Sequence, residues 1–154
     1  PELVGTCARG DWHPEYPNVW LHPTVRAGNN WHSSVVWTRI HSELTKRGVK
    51  SEAAWKRIAT RGCVLELAAW PTPTWTPGVF TSSTALSVEL AQRASDDPNK
   101  VVLLCRGETE WRSAGLLDAD LLPKSKGVRR NQCRVTPSNF PDVWEDVLSK
   151  FVDE

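Results

Sequence analysis

Three stretches of the chain set polar, chemically capable side chains just after short apolar runs. Cys63 to Leu67, CVLEL, carries Glu66 near its end. Lys100 to Trp111, KVVLLCRGETEW, passes through five apolar residues, Val101 to Cys105, before Arg106 and Gly107 end the run. Thr136-Pro137-Ser138-Asn139 follows Gln132 to Val135 and leads into an amphipathic segment. A carboxylate in an apolar run is costly to bury without a partner. Glu66 therefore implies a bound polar group or an ion pair with a base such as Arg106. Arg106 in turn suits a phosphate or a surface carboxylate. Ser138 and Asn139 suit capping of the following helix, or an anion held at its N-terminus by free N–H groups and the helix dipole. A fourth stretch, GDWHPEYPNVWLHP, reads as a proline-rich loop that carries Asp11, His13, Glu15 and His22.

The elements that would position these groups alternate in type. CVLEL, VVLLC and Gln132 to Val135 read as strands, with a short one from Leu3 to Cys7. An unbroken apolar run such as VVLLC is the pattern of a strand buried on both faces. Between them come helical segments: Val35 to Arg47, closed by Gly48 and capped by Ser33 or Ser34; Ser51 to Thr60, capped by Ser51 and stopped by Gly62; and a helix opened by Ser82 or Ser83 and carrying Leu86, Leu90, Ala91 and Ala94. A short helix holds Trp111 and stops at Gly115. The last, with Phe140, Val143, Trp144, Val147, Leu148 and Phe151, has Ser138 or Asn139 as its cap. Such alternation predicts a single α/β domain, three-layer α/β/α with a short, mainly parallel sheet and right-handed crossovers. In that architecture the ends of the three later strands share one rim, where ligands of open sheets bind.

Composition limits the function classes. The 154 residues suit one domain, and the formal net charge of +1 gives no global commitment to nucleic acid. Basic residues are nevertheless clustered, at Lys46, Arg47, Lys50, Lys56, Arg57 and Arg61, and at Lys124, Lys126, Arg129, Arg130 and Arg134. Nine tryptophans is a high content, and Trp12, Trp70 and Trp75 fall in proline-rich loops. The loop Trp70-Pro71-Thr72-Pro73-Thr74-Trp75 could stack on a flat ligand or plug a small core. Cysteines 7, 63, 105 and 133 form no C-x-x-C pair and read as buried free thiols of a reduced, cytoplasmic compartment. No metal site is expected from them or from the four histidines, and no P-loop, G-x-G-x-x-G, G-x-S-x-G or H-E-x-x-H is present. No apolar stretch is long enough to cross a membrane.

The order of YPNVWLHP, the segment from Trp31, CVLELAAWPT, the helix after TSST, VVLLCRGETEW and RVTPSNF resembles the uracil-DNA glycosylase-like superfamily, in particular its small bacterial members. The resemblance runs from about residue 16 to 152, with 1–15 as a divergent or truncated N-terminal segment. It implies DNA binding, extrusion of one nucleotide into a pocket at the sheet rim, and hydrolysis of its N-glycosidic bond by an activated water without a cofactor. On that reading Glu66 to Thr72 reads the base edge, and Thr136 to Asn139 contacts phosphate. The family's histidine before Pro-Ser is Thr136 here, so no imidazole polarises the leaving base at that place.

Two functions follow as expectations. In the first the chain excises a modified or damaged base, in repair or in defence against phage. Asp11 or His13 activates water, Glu66 and Thr72 bind the base, Trp70 and Trp75 stack on it, and Arg106, Trp111, Thr136, Ser138 and Asn139 hold phosphate or shape the pocket. In the second the chain is a non-catalytic relative that binds nucleic acid or a protein partner through the same rim. A third reading is an interaction subunit whose missing strand a partner supplies.

Overall fold

The computed structural model describes residues 32–65, 67, 82–128 and 133–152. In chain order these hold a π-helical turn, His32–Val36, then helices α1 (Thr38–Lys46), α2 (Ser51–Arg61), α3 (Ser82–Ser95) and α4 (Glu108–Ser113), a 3₁₀ turn, Pro141–Val143, and α5 (Trp144–Ser149). The chain divides into two compact units, Pro1–Cys63 with Cys133–Glu154, and Val64–Gln132.

In the first unit α1 exists because Val36, Trp37, Ile40 and Leu44 recur on one side of the helical turn, and all four are buried. It ends in a Schellman motif. Gly48 adopts φ +87°, its N–H bonds to the Thr45 carbonyl, and the Val49 N–H bonds to the Leu44 carbonyl. Residues 47–50 then turn the chain into α2, which packs against α1 and buries Ala54, Ile58 and Ala59. The C-terminal segment completes this unit. Trp37 meets the Phe151 ring edge-on at 6.1 Å between centroids. The Arg61 guanidinium donates to the carbonyls of Lys150 and Val152, both at 3.3 Å. The Val135 N–H donates to the Val36 carbonyl at 3.0 Å.

The second unit has a core of Leu67, Ala91, Leu104, Trp111, Leu116 and Ala119, with Leu65, Val88, Ala114 and Leu122 packed against it. Its α4 is bounded by two glycines in the left-handed region, Gly107 at φ +73° and Gly115 at φ +107°. The second closes another Schellman motif, since the Leu116 N–H bonds to the Trp111 carbonyl and the Gly115 N–H to the Arg112 carbonyl.

The expected three-layer α/β/α architecture is not what forms. The described residues are helical and contain no strand and no sheet. The β pairing among them is a single parallel bridge, Leu104 with Lys124. There the Leu104 N–H bonds to the Pro123 carbonyl, and the Ser125 N–H to the Leu104 carbonyl. Its partner lies between Gly115 and the expected strand from Gln132, not in another expected strand. The runs 63–65, 101–105 and 133–135 form no strand. Apolar content misled here. Val101, Val102 and Leu103 are only half-buried and Leu104 alone is buried, so VVLLC lays one residue into a core without joining a sheet.

Three helix starts are also corrected. Neither Ser33 nor Ser34 caps α1, whose N-cap is Trp37 without a side-chain cap. Lys50 is the N-cap of α2, and Ser51 is its first helical residue. The last helix starts later than its apolar period suggested. Phe140 and Pro141–Val143 make a 3₁₀ entry, again without a side-chain cap, so neither Ser138 nor Asn139 caps it. The expected buried thiols are not buried either, since Cys63 is exposed and Cys105 and Cys133 are half-buried. No helix among the described residues is long and apolar enough to cross a membrane.

Candidate nucleic-acid interface

Asp11, His13, Glu66, Trp70, Thr72 and Trp75, the proposed water-activating and base-binding groups, lie outside the described residues, as do Glu15, Arg129 and Arg130. Arg106 and Trp111 belong to the second unit, and Thr136, Ser138 and Asn139 to the first. The shared sheet rim that was to gather them is absent from the described residues, because the strands that would form it are not there.

Arg106 is exposed, immediately before the left-handed Gly107 that opens α4. Trp111 is not a surface residue. It is 9% exposed and packs in the core of its unit with Leu104 and Leu116. Beside it, Glu108 is held by two cations, with Arg112 at 3.0 Å and Lys124 at 2.8 Å. That pairing ties residue 124, the bridge partner of Leu104, to the first turn of α4. Lys124 is thus spent on structure, although its position in a basic run suggested phosphate contact.

The segment Thr136 to Asn139 is a turn held by its own side chains. The Asn139 N–H donates to the Thr136 carbonyl and also reaches Thr136 Oγ1 at 3.2 Å. The Thr136 and Ser138 hydroxyls pair at 3.0 Å. Asn139 is 5% exposed and its side-chain amide donates to the Arg134 carbonyl at 2.8 Å. A buried amide engaged in this way fixes the backbone that leads into α5.

The described feature with a consistent chemical character is the α1–α2 pair. Between Thr38 and Arg61 it carries seven basic residues, Arg39, Lys46, Arg47, Lys50, Lys56, Arg57 and Arg61, against two carboxylates, Glu43 and Glu52, in a chain whose net charge is +1. Six of the seven are exposed and Arg57 is half-buried. Glu43 serves two of them, Arg39 at 2.7 Å and Lys46 at 3.1 Å. The Lys46 hydrogen bond, helped by the charges of Arg39, Lys46 and Arg47, holds the Glu43 carboxyl below its ordinary range. Arg47 reaches Glu145 only loosely, at 3.8 Å. Much of this cluster, from Lys46 to Arg61, is visible as a basic run in the sequence. Arg39 joins it only because the helix period brings it one turn from Glu43.

The pair is clamped by a contact that no sequence pattern announced. His41 of α1 stacks on Trp55 of α2, with centroids 4.3 Å apart and planes at 16°. His41 Nε2 also lies 3.0 Å from Ser51 Oγ. These contacts lock the two helices side by side across the turn, and they use Ser51 for that purpose rather than as a cap. Among the described residues no group of histidine, cysteine and carboxylate side chains is placed to hold a metal ion.

Neither a protein-family model, nor a curated protein, nor a solved structure matches the chain.

Proposed function

We propose that the chain is a non-catalytic DNA-binding module that engages the phosphate backbone through its basic helix pair. The observation that carries this is the concentration of seven cations against two carboxylates on α1, α2 and the turn between them, in a chain whose formal net charge is only +1. Clustered positive charge on a helical surface attracts a phosphate backbone and releases its condensed counterions. The non-catalytic form is preferred over base excision for two reasons. The described residues supply no sheet rim to hold an extruded nucleotide, and Trp111 is taken up by a core.

Fluorescence anisotropy with a 20-base-pair duplex, titrated between 50 and 200 mM salt, tests the reading, with log K expected to fall linearly with log salt at about −0.9 per phosphate neutralised. Replacing Arg47 and Lys50 together by alanine should flatten that slope by about 2 and weaken binding to all sequences alike. An absence of binding at 50 mM salt would remove the proposal. A base-release assay on duplexes carrying modified bases runs in parallel. Release that is lost in Asp11→Asn would replace this reading with the base-excising one.

A further inference from the structure

We infer that α2 is the element that enters the duplex, lying in the major groove with Ala53, Lys56, Arg57 and Thr60 toward the bases; this rests on the DNA-binding reading above. The helix has two differentiated sides. Ala54, Ile58 and Ala59 are buried in the unit. Ala53, Lys56 and Thr60 are exposed and Arg57 is half-buried, and these four recur at the spacing that defines one face of a helix. An α-helix of this kind fits the width of the B-form major groove. Eleven residues make it about 16 Å long, enough to cross the groove while its ends approach the backbone.

The composition of that face is what groove entry requires. Ala53 is small and Thr60 turns its hydroxyl back onto the Lys56 and Arg57 carbonyls, so neither holds the helix away from the base edges. Lys56 and Arg57 are donors suited to guanine O6 and N7. Glu52, one turn before Lys56, is the carboxylate of α2, and an acceptor there fits the exposed amino group of cytosine. The connection between the helices brings Lys46, Arg47 and Lys50 to the N-terminal end of α2, where a helix in the groove meets the phosphates of the flanking strand. The Gly48 turn and the His41–Trp55 stack hold that connection in place.

The test uses the full chain bound to a fluorescent duplex containing both A·T-rich and G·C-rich steps. Methyl green, which occupies the major groove, is titrated against the complex, and distamycin, which occupies the minor groove, is titrated separately. Displacement by methyl green alone is the expected result. Displacement by distamycin alone, or by neither, overturns the groove assignment while DNA binding itself stands. Failure to bind the duplex at all overturns the reading beneath it. Ala53→Gln supplies a second measurement that leaves every charge in place. It should weaken duplex binding about tenfold, because it adds bulk where the helix approaches the bases, whereas Ala85→Gln on the exposed side of α3 should change nothing. Unchanged binding by Ala53→Gln, with an unchanged melting temperature, also overturns the assignment.

Discussion

Replacing Gly62 by alanine perturbs one of the tightest places described in the molecule. Gly62 follows α2 in extended backbone, φ −97° and ψ 142°, which any residue adopts, so the substitution carries no dihedral penalty. The obstacle is space. A methyl group there would stand 2.9 Å from the Ile58 carbonyl oxygen and 3.2 Å from two atoms of the Trp37 six-membered ring. Neither neighbour yields readily. The Ile58 carbonyl accepts the closing hydrogen bond of α2 from the Gly62 N–H at 2.8 Å, and Trp37 is buried against Phe151. Overpacking of this kind costs about 1–3 kcal/mol. An alanine that fits without strain gains about 0.4–1 kcal/mol from the unfolded chain. The net expectation is a loss of about 1–2 kcal/mol, seen as a fall in melting temperature of about 2–8 °C for a chain of this size. Thermal unfolding followed by circular dichroism reads it. Trp37→Phe removes the two crowded ring atoms, so Gly62→Ala should cost less in that background, and a double-mutant cycle measures the coupling. A Gly62→Ala protein as stable as its parent, or more stable, would refute the reasoning.

Other outcomes follow from the same packing. Trp111→Ala should destabilise the second unit by about 3–5 kcal/mol, because it empties the centre of a core, and urea unfolding monitored for that unit checks it. Asn139→Ala should cost about 1–3 kcal/mol by leaving the Arg134 carbonyl without the amide that now reaches it, whereas Ser138→Ala, at an exposed hydroxyl, should cost well under half of that. Glu43 has a depressed folded pKa, so its pairing with Lys46 and Arg39 stabilises the fold above the ordinary glutamate value, about 4.3, and that contribution is lost as pH falls through the lower folded value. Glu43→Gln should therefore be less stable than the parent at pH 7 by under about 1 kcal/mol, with the gap closing in acid, as melting curves between pH 7 and pH 3 would record.

The helices were legible and the sheet was not, and both outcomes have the same origin. Val36, Trp37, Ile40 and Leu44 repeat at a helical period, and Gly48 and Gly115 offer the left-handed conformation that ends a helix, so α1 and α4 are written locally. Helix ends were less legible. The turn from Thr136 to Asn139 uses its polar side chains on itself, and Ser51 bonds across to His41, so residues of capping type do not cap. The run Val101 to Cys105 is apolar enough for a buried strand, but a strand exists only when a neighbour supplies a ladder. Here the pairing is one bridge to Lys124.

Local order alone therefore determined the helical segments, the glycines that close them and the density of charge between Lys46 and Arg61. Periodicity and backbone freedom are properties of a few adjacent residues. Which basic residues share a surface, which are spent on structure as Lys124 is on Glu108, and whether Trp111 faces a ligand or a core were decided only by the tertiary structure. Those questions concern partners distant in sequence, and burial of apolar surface settles them across the whole unit at once.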